Sequence, residues 1–395
     1  MIKITRLILI TFLFLAGCSL TAERNAPPAH LISKVSIPGI PAARFWADEW
    51  PDFSIQRLRS LNDSELQAIS SEVYNIEHNY LAISGGGANG AFGAGLLAGW
   101  AANGSRPKFT MVTGVSTGAL TAPFAFLGSE YDDKLKMIYT TTWTKDVATE
   151  RNLIAALMGD SLADTAPLQQ LIRHYMTTEV MDEIASEHRK GRRLFIGTLN
   201  LDAARSVIWN IGAIANSDYP EKITLIHEVM LASAAIPVAF PPVMITVELD
   251  GKQYDEMHVD GSVGSQVFVY PAAVKWKKLT QRLKVKGKPQ VFILRNAFME
   301  PDYNGVNRSV LPIATRSIDA LLRASGTGDL YQIYALCRRD GNDFNLAYIP
   351  ADFTEKETEG FDPIYMQKLY QHAYDLAYQG YDWKNGPPGF VTSGE

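Results

Sequence analysis

Cysteine is almost missing from this chain: among 395 residues only Cys18 and Cys337 occur. That excludes a disulfide framework and a cysteine zinc cluster as the source of the fold. Positive charge is not in excess either. Lys and Arg number 37 against 42 Asp and Glu, a net charge of -5, which excludes a broadly basic nucleic-acid binder. No apolar run reaches the ~18 residues of a membrane-spanning helix. There is no internal repeat, no low-complexity tract and no carboxylate cluster that implies a metal, and no cofactor is expected. What is present is 47% hydrophobic and 20% charged residues, the composition of a globular protein with a large core. The length corresponds to two or three domains of ~150 residues, although α/β units of ~250 residues also occur.

The chain opens MIKITRLILITFLFLAGC. Lys3 and Arg6 precede an apolar run from Leu7 to Ala16, too short to span a bilayer but suited to a signal-peptide core. The run ends Leu15-Ala16-Gly17-Cys18, which resembles the lipobox of bacterial lipoproteins. The resemblance implies that Cys18 is lipidated and becomes the first residue of the mature chain. An ordinary signal peptide with a chance cysteine is the alternative. Residue 19 is Ser rather than the Asp that usually retains such proteins at the inner membrane. The expectation is therefore a lipid-anchored protein of the bacterial envelope, at the outer membrane. Residues 1–17 read as the signal peptide and 18–75 as a tether and N-terminal extension containing Pro27, Pro28, Pro38 and Pro41.

From Tyr80 onward, short apolar strands alternate with helical patterns. Strands are expected at 80–84, 109–114, 193–200, 207–214 and 290–295. Helices are expected at 91–102, 119–127, 223–235, 309–325 and 366–381, with a short capped helix after Asn62. Such alternation predicts an α/β fold in three layers, a mainly parallel central sheet with helices on both faces. The catalytic domain is placed at 76–350, followed by a helical extension, 351–395, packing on the core.

Three motifs carry chemistry. Gly85-Gly86-Gly87-Ala88-Asn89-Gly90 follows the first strand of this pattern. Glycines there permit a tight turn and close approach of a ligand to the backbone, and N–H groups at a helix start favour negative charge. A dinucleotide site has a similar glycine pattern. The next strand, however, runs into Gly114-Val115-Ser116-Thr117-Gly118 rather than ending in a ribose-binding acid. That second motif lies between a strand and a helix, the context of a nucleophile elbow; a glycine turn whose serine only caps the helix is the bland reading. The third is Asp260-Gly261-Ser262, which alone would pass for a turn.

In this order and spacing the three motifs resemble the patatin-like phospholipase family. The segment Leu231-Ala232-Ser233-Ala234-Ala235-Ile236-Pro237, followed by Phe240-Pro241-Pro242, adds to the likeness. The resemblance implies a lipid acyl-ester hydrolase with Ser116 as nucleophile, Asp260 as its base, and backbone amides of Gly86, Gly87 and Ala88 as the oxyanion hole. Gly85, Gly90, Gly114, Gly118 and Gly261 then shape the motifs, and the partner is a lipid or phospholipid. Two departures stand out. Asn89 occupies a position where the family commonly has Arg or Lys, and Ser262 stands where it has Gly or Ala.

Two other classes remain open on sequence. A serine esterase with a Ser-His-Asp triad would need His372, the one histidine downstream of Asp260, or His258 on the same strand as that acid. A non-catalytic envelope scaffold with this fold would leave Ser116 idle. Lys275, Lys277, Lys278, Arg282, Lys284, Lys286 and Lys288 form a local basic cluster, read as a solvated surface. Cys337 is read as a buried thiol, and Tyr365, Tyr370, Tyr374, Tyr378 and Tyr381 as packing residues of a C-terminal helix.

Overall fold

The computed structural model describes residues 24–49, 60–152, 159–301, 303 and 305–390. The expected signal peptide and lipobox, with Cys18, lie outside the described residues. Among those described, nine strands form one sheet: β1 (Arg44–Trp46), β2 (Glu77–Ile83), β3 (Met111–Val115), β4 (Arg193–Asn200), β5 (Arg205–Asn210), β6 (Val243–Leu249), β7 (Lys252–Asp260), β8 (Lys286–Phe298) and β9 (Asp343–Ile349). The principal helices are α1 (Asp63–Ile69), α2 (Gly90–Ala102), α3 (Thr117–Leu127), α4 (Asp132–Thr141), α5 (Ala166–Tyr175), α6 (Thr178–Arg189), α7 (Lys222–Ser233), α8 (Val310–Asp340) and α9 (Pro363–Tyr378). No described helix is long and apolar enough to cross a membrane.

The sheet order is β1-β5-β4-β3-β2-β8-β9. Its centre, β4-β3-β2-β8-β9, is parallel. β5 and β1 add antiparallel strands on one flank, and the β6–β7 hairpin joins β4 through β7. Alternate residues of the parallel strands serve two cores. Leu81, Ile83, Val112, Leu194, Ile196 and Leu294 face a thick layer built from α2 to α7 and α9. Tyr80, Ala82, Met111, Phe195, Val291 and Ile293 face the second half of α8 and the segment 267–276. The expected three-layer, mainly parallel α/β architecture is what the chain forms.

Three differences from the sequence reading have identifiable physical causes. The apolar run 207–214 is strand only to Asn210, whose side chain accepts from Ala213 N at 3.1 Å and starts a short helix at Ile211; an apolar run alone does not separate strand from helix. α8 continues past Ser325 to Asp340, through Gly326 and Gly328. At Gly326 the missing side chain makes room for the Arg295 guanidinium. Residues 35–46, read as part of a tether, are seated on the body. Val35, Ile37, Ile40 and Ala43 are buried in the main core, and β1 pairs with β5.

This N-terminal segment also grips the β6–β7 hairpin. Arg24 is bidentate, at 3.0 and 2.5 Å, to Asp202 in the β4–β5 turn beside the hairpin. Asp255 N donates to Asn25 O at 2.8 Å, and Ser36 bridges Glu248. Arg44 forms a bidentate ion pair with the fully buried Glu256.

α9 is equally integral. It lies along α2, burying Tyr365, Met366, Leu369, Tyr370, Ala373 and Ala377. Its approach is close because α2 offers Gly95 and Gly99, where a Cβ would run into the carbonyl oxygens of Tyr370 and Tyr374.

Candidate active site

The site is assembled at the meeting point of two strands on one edge of β4. β3 runs parallel to β4 and ends with Val115 opposite Gly197. β7 runs antiparallel to β4 and ends with Asp260 opposite Thr198, the next residue. The two strands therefore point their ends at each other. Ser116 and Asp260, 144 residues apart in sequence, meet there.

Ser116 Oγ donates to Asp260 Oδ2 at 2.6 Å, and both residues are buried. Ser116 sits between β3 and α3 with φ 55° and ψ -126°. This backbone conformation is costly for a residue with a Cβ and is held only by its surroundings. Those surroundings are tight. A Cβ at Gly118 would strike the carbonyl oxygen of Ile83 in β2, and one at Gly114 would strike that of Gly118. Ser116 N donates to Ser233 Oγ at 3.0 Å, and Ser233 Oγ donates to Gly197 O at 2.7 Å. Ser233, at the end of α7, is a support that sequence reading placed within a family-like segment without a role.

Asp260 is held from its other oxygen. Ser262 N donates to Oδ1 at 2.8 Å, and Asp260 N donates to Ala235 O at 2.9 Å. Burial pushes the Asp260 carboxyl up to about 6, against the opposing pull of the hydrogen bonds from Ser116 and Ser262.

The glycine loop closes the site from β2. Gly86 has φ 157°, and a Cβ there would run into the carbonyl oxygen of Asn296. A Cβ at Gly85 would lie 2.5 Å from Ser262 Oγ and 3.1 Å from Ser116 Cβ, so the loop passes against both members of the pair. Gly87–Asn89 form one turn of 3₁₀ helix ahead of α2. The first N–H groups of such a turn have no acceptor within it. Asn89 Oδ1 accepts from Tyr365 Oη at 2.6 Å, so the position at which the family commonly carries a cation is tied to α9.

Beyond Ser116 lies an apolar cavity of about 80 Å³. Gly87, Ser116 and Thr117 stand at one end. Leu120, Phe124, Leu168, Ile172, Met176, Met230, Phe240, Phe361 and Met366 are among its walls, and no lining residue carries a formal charge.

The histidines lie elsewhere. His258 is buried with both ring nitrogens engaged, Nδ1 with Thr198 Oγ1 at 2.9 Å and Nε2 with Glu256 Oε2 at 3.1 Å. Burial holds its pKa below the ordinary value, despite Glu256. His372 packs on the Phe353 ring, 3.5 Å from Asp352. Among the described residues no histidine bonds to Ser116 or Asp260, and no three His, Cys, Asp or Glu side chains gather as metal ligands. Cys337 is buried, and that burial pushes its thiol up to about 12. In the basic cluster, Arg282 and Lys284 bond to Asp63 at 2.7 and 2.6 Å.

Residues 81–273 match the family model described as Patatin-like phospholipase. Residues 81–273 are therefore a patatin-like phospholipase domain, and that family implies lipid acyl hydrolysis. Among solved structures it is similar to VipD from Legionella pneumophila, at 12% identity and a TM-score of 0.37 over 77% of this chain and 67% of that one. It is also similar to a chain of the full-length SpcU–ExoU complex from the type III secretion system of Pseudomonas aeruginosa. There the identity is 12% and the TM-score 0.31, over 77% of this chain and 52% of that one, so the chain spans about half the length of that relative. No curated protein matches the sequence.

Proposed function

We propose that this protein hydrolyses acyl esters of lipids through a covalent acyl-Ser116 intermediate, with Asp260 as its only general base. The observation that carries the reading is the 2.6 Å hydrogen bond from Ser116 Oγ to Asp260 Oδ2 at the head of an uncharged, apolar cavity. A serine hydroxyl needs a base during attack. An aqueous carboxylate, with pKa ~3.9, is a weak one, and burial of Asp260 raises its basicity toward the working range.

The acyl chain enters the cavity and brings its ester carbonyl to Ser116. As Oγ attacks, its proton passes to Asp260 Oδ2. Charge gathers on the carbonyl oxygen, facing the N–H groups of Gly86, Gly87 and Ala88 and the N-terminus of α3. The tetrahedral intermediate collapses, Asp260 returns the proton to the leaving alcohol, and the acyl group stays on Ser116. Water, deprotonated by Asp260, then releases the fatty acid. The histidine-dependent alternative loses support because His258 is fully engaged with Thr198 and Glu256.

The N-terminal features support a further part of the reading. Cleavage before Cys18 and acylation of that residue would attach the enzyme to the bacterial envelope, at the outer membrane, close to its substrate. More than one acyl chain gives stable anchoring.

The test is lipid hydrolysis by wild-type protein beside Ser116→Ala, with monoacyl and diacyl phospholipids and neutral glycerides as substrates. Fatty-acid release by wild-type protein, lost in the folded variant, is expected. Release that survives in Ser116→Ala would overturn the nucleophile, and failure of a fluorophosphonate to label folded wild-type protein would favour a scaffold.

A further inference from the structure

We infer that Asn296 is a positioning residue for the glycine loop, so that the oxyanion site depends on a side chain 180 positions downstream of the nucleophile. The inference rests on the reading of Ser116 and the loop given above.

β8 outruns its neighbour. β2 stops at Ile83, opposite Leu294, and turns into the glycine loop, while β8 continues to Phe298. The register between β8 and β9 breaks between Arg295 and Phe298. Such irregularities re-aim side chains and are frequent beside active sites. Asn296 lies within this break, with no solvent exposure.

Both polar atoms of its amide bond to the segment that carries the loop, at Ser84 before it and at Gly93 in the first turn of α2. Nδ2 donates to Ser84 O at 3.0 Å, and Oδ1 accepts from Gly93 N at 3.0 Å. The backbone adds to this: Asn296 N donates to Ser84 Oγ at 2.9 Å, and Ser84 Oγ donates to Gly85 O at 2.7 Å. Gly86 passes directly over the Asn296 carbonyl. The amide thus spans Ser84 to Gly93 and fixes the ends of the segment that carries the Gly86, Gly87 and Ala88 amides.

The residue before it holds the loop from the other sheet face. Arg295 Nη1 donates to Gln266 Oε1 at 2.9 Å, and Gln266 O accepts from Gly85 N at 3.1 Å. A bound molecule need not touch Asn296 for this to matter. Oxyanion donors act through placement, and a displacement near 1 Å costs about 10²-fold in rate.

The experiment compares Asn296→Asp with wild-type protein on a p-nitrophenyl ester, beside palmitate binding and the rate of fluorophosphonate labelling. Asp keeps the size but loses the Nδ2 donor to Ser84. The expected result is a kcat lower by about 10- to 100-fold, with KM changed less than about 3-fold. Labelling of Ser116 slows in parallel, and palmitate affinity is kept, because the cavity walls are other residues. Wild-type kcat in the folded variant overturns the inference. So does a kcat loss matched by an equal loss of palmitate affinity, which marks a general structural role.

Should Asn296→Asp fail to fold, Asn296→Ser decides. It removes both amide links without burying a charge; a several-fold fall in kcat with palmitate affinity kept supports the inference, and an unchanged kcat overturns it. Ser116→Ala is assayed in parallel, so that turnover surviving there indicts the nucleophile and not Asn296.

Discussion

At the residue scale, the protein turns on one buried carboxyl. Asp260 is held up near 6 in the folded chain, above the ~3.9 of an unfolded aspartate. The folded state therefore keeps its proton more tightly than the unfolded one. Stability is greatest with the group protonated, and it declines as pH rises from about 4 through 6. Above pH 6 the ionised group costs on the order of 3 kcal/mol.

Two outcomes are expected. The kcat of wild-type protein rises with pH along an acidic limb centred near 6, as the base deprotonates. Asp260→Asn lowers kcat by about 10²–10⁴-fold, yet at pH 8 its Tm equals or exceeds that of wild-type protein. A Tm well below wild type there would mean that Asp260 is a structural group.

The bend at Ser116 and the glycines around it are legible because their signals are local: a strand, a tight turn, a helix; Asp260, by itself only a turn signal, is marked by the resemblance alone. Ser233 and Asn296 were not legible. Their roles exist only through partners 117 and 212 residues away, and no periodicity records such a partner.

At the element scale, α9, expected as an extension packing on the core, and the N-terminal segment, expected as a tether, both belong to the body. α9 packs on α2 where Gly95 and Gly99 let two helix backbones approach. Gly95→Ala would place a methyl group against the Tyr370 carbonyl, which is backbone and cannot step aside. Overpacking of this kind costs about 1–3 kcal/mol. The expected result is a lower Tm, with activity at low temperature also reduced because Met366 of the same helix lines the cavity. An unchanged Tm would show that the helices are free to separate.

The β6–β7 hairpin was missed in sequence although its signal is present. Asp250-Gly251 lies between Val243-Met244-Ile245-Thr246-Val247 and Tyr254, with φ values of 50° and 77°. That is a two-residue turn of the kind Asp-Gly favours. The turn matters functionally, because the hairpin ends in Asp260. The N-terminal segment was misread for a different reason. Its prolines suggested a tether, but its fixed points are Arg44 on Glu256 and a short strand on β5, which are again long-range contacts.

At the scale of the whole molecule, the architecture followed from the alternation of strand and helix patterns, while the placement of the site followed from topology. A parallel strand and an antiparallel strand share one edge of β4 and meet end to end. Neither strand is unusual by itself, and the Ser116–Asp260 hydrogen bond arises where they meet. The same sheet separates a thick helical layer containing the apolar cavity from a thinner layer built on α8. In the proposed reaction an ester brought to Ser116 would have its acyl chain in the helical layer and its carbonyl at the strand ends.

Rapid-quench mass spectrometry during turnover of a short-chain p-nitrophenyl ester tests this account most directly. The account predicts an acyl mass on the peptide carrying Ser116, which forms in wild-type protein and is absent from Ser116→Ala. Ester turnover with the acyl group on another side chain, or with equal turnover in Ser116→Ala, would contradict it.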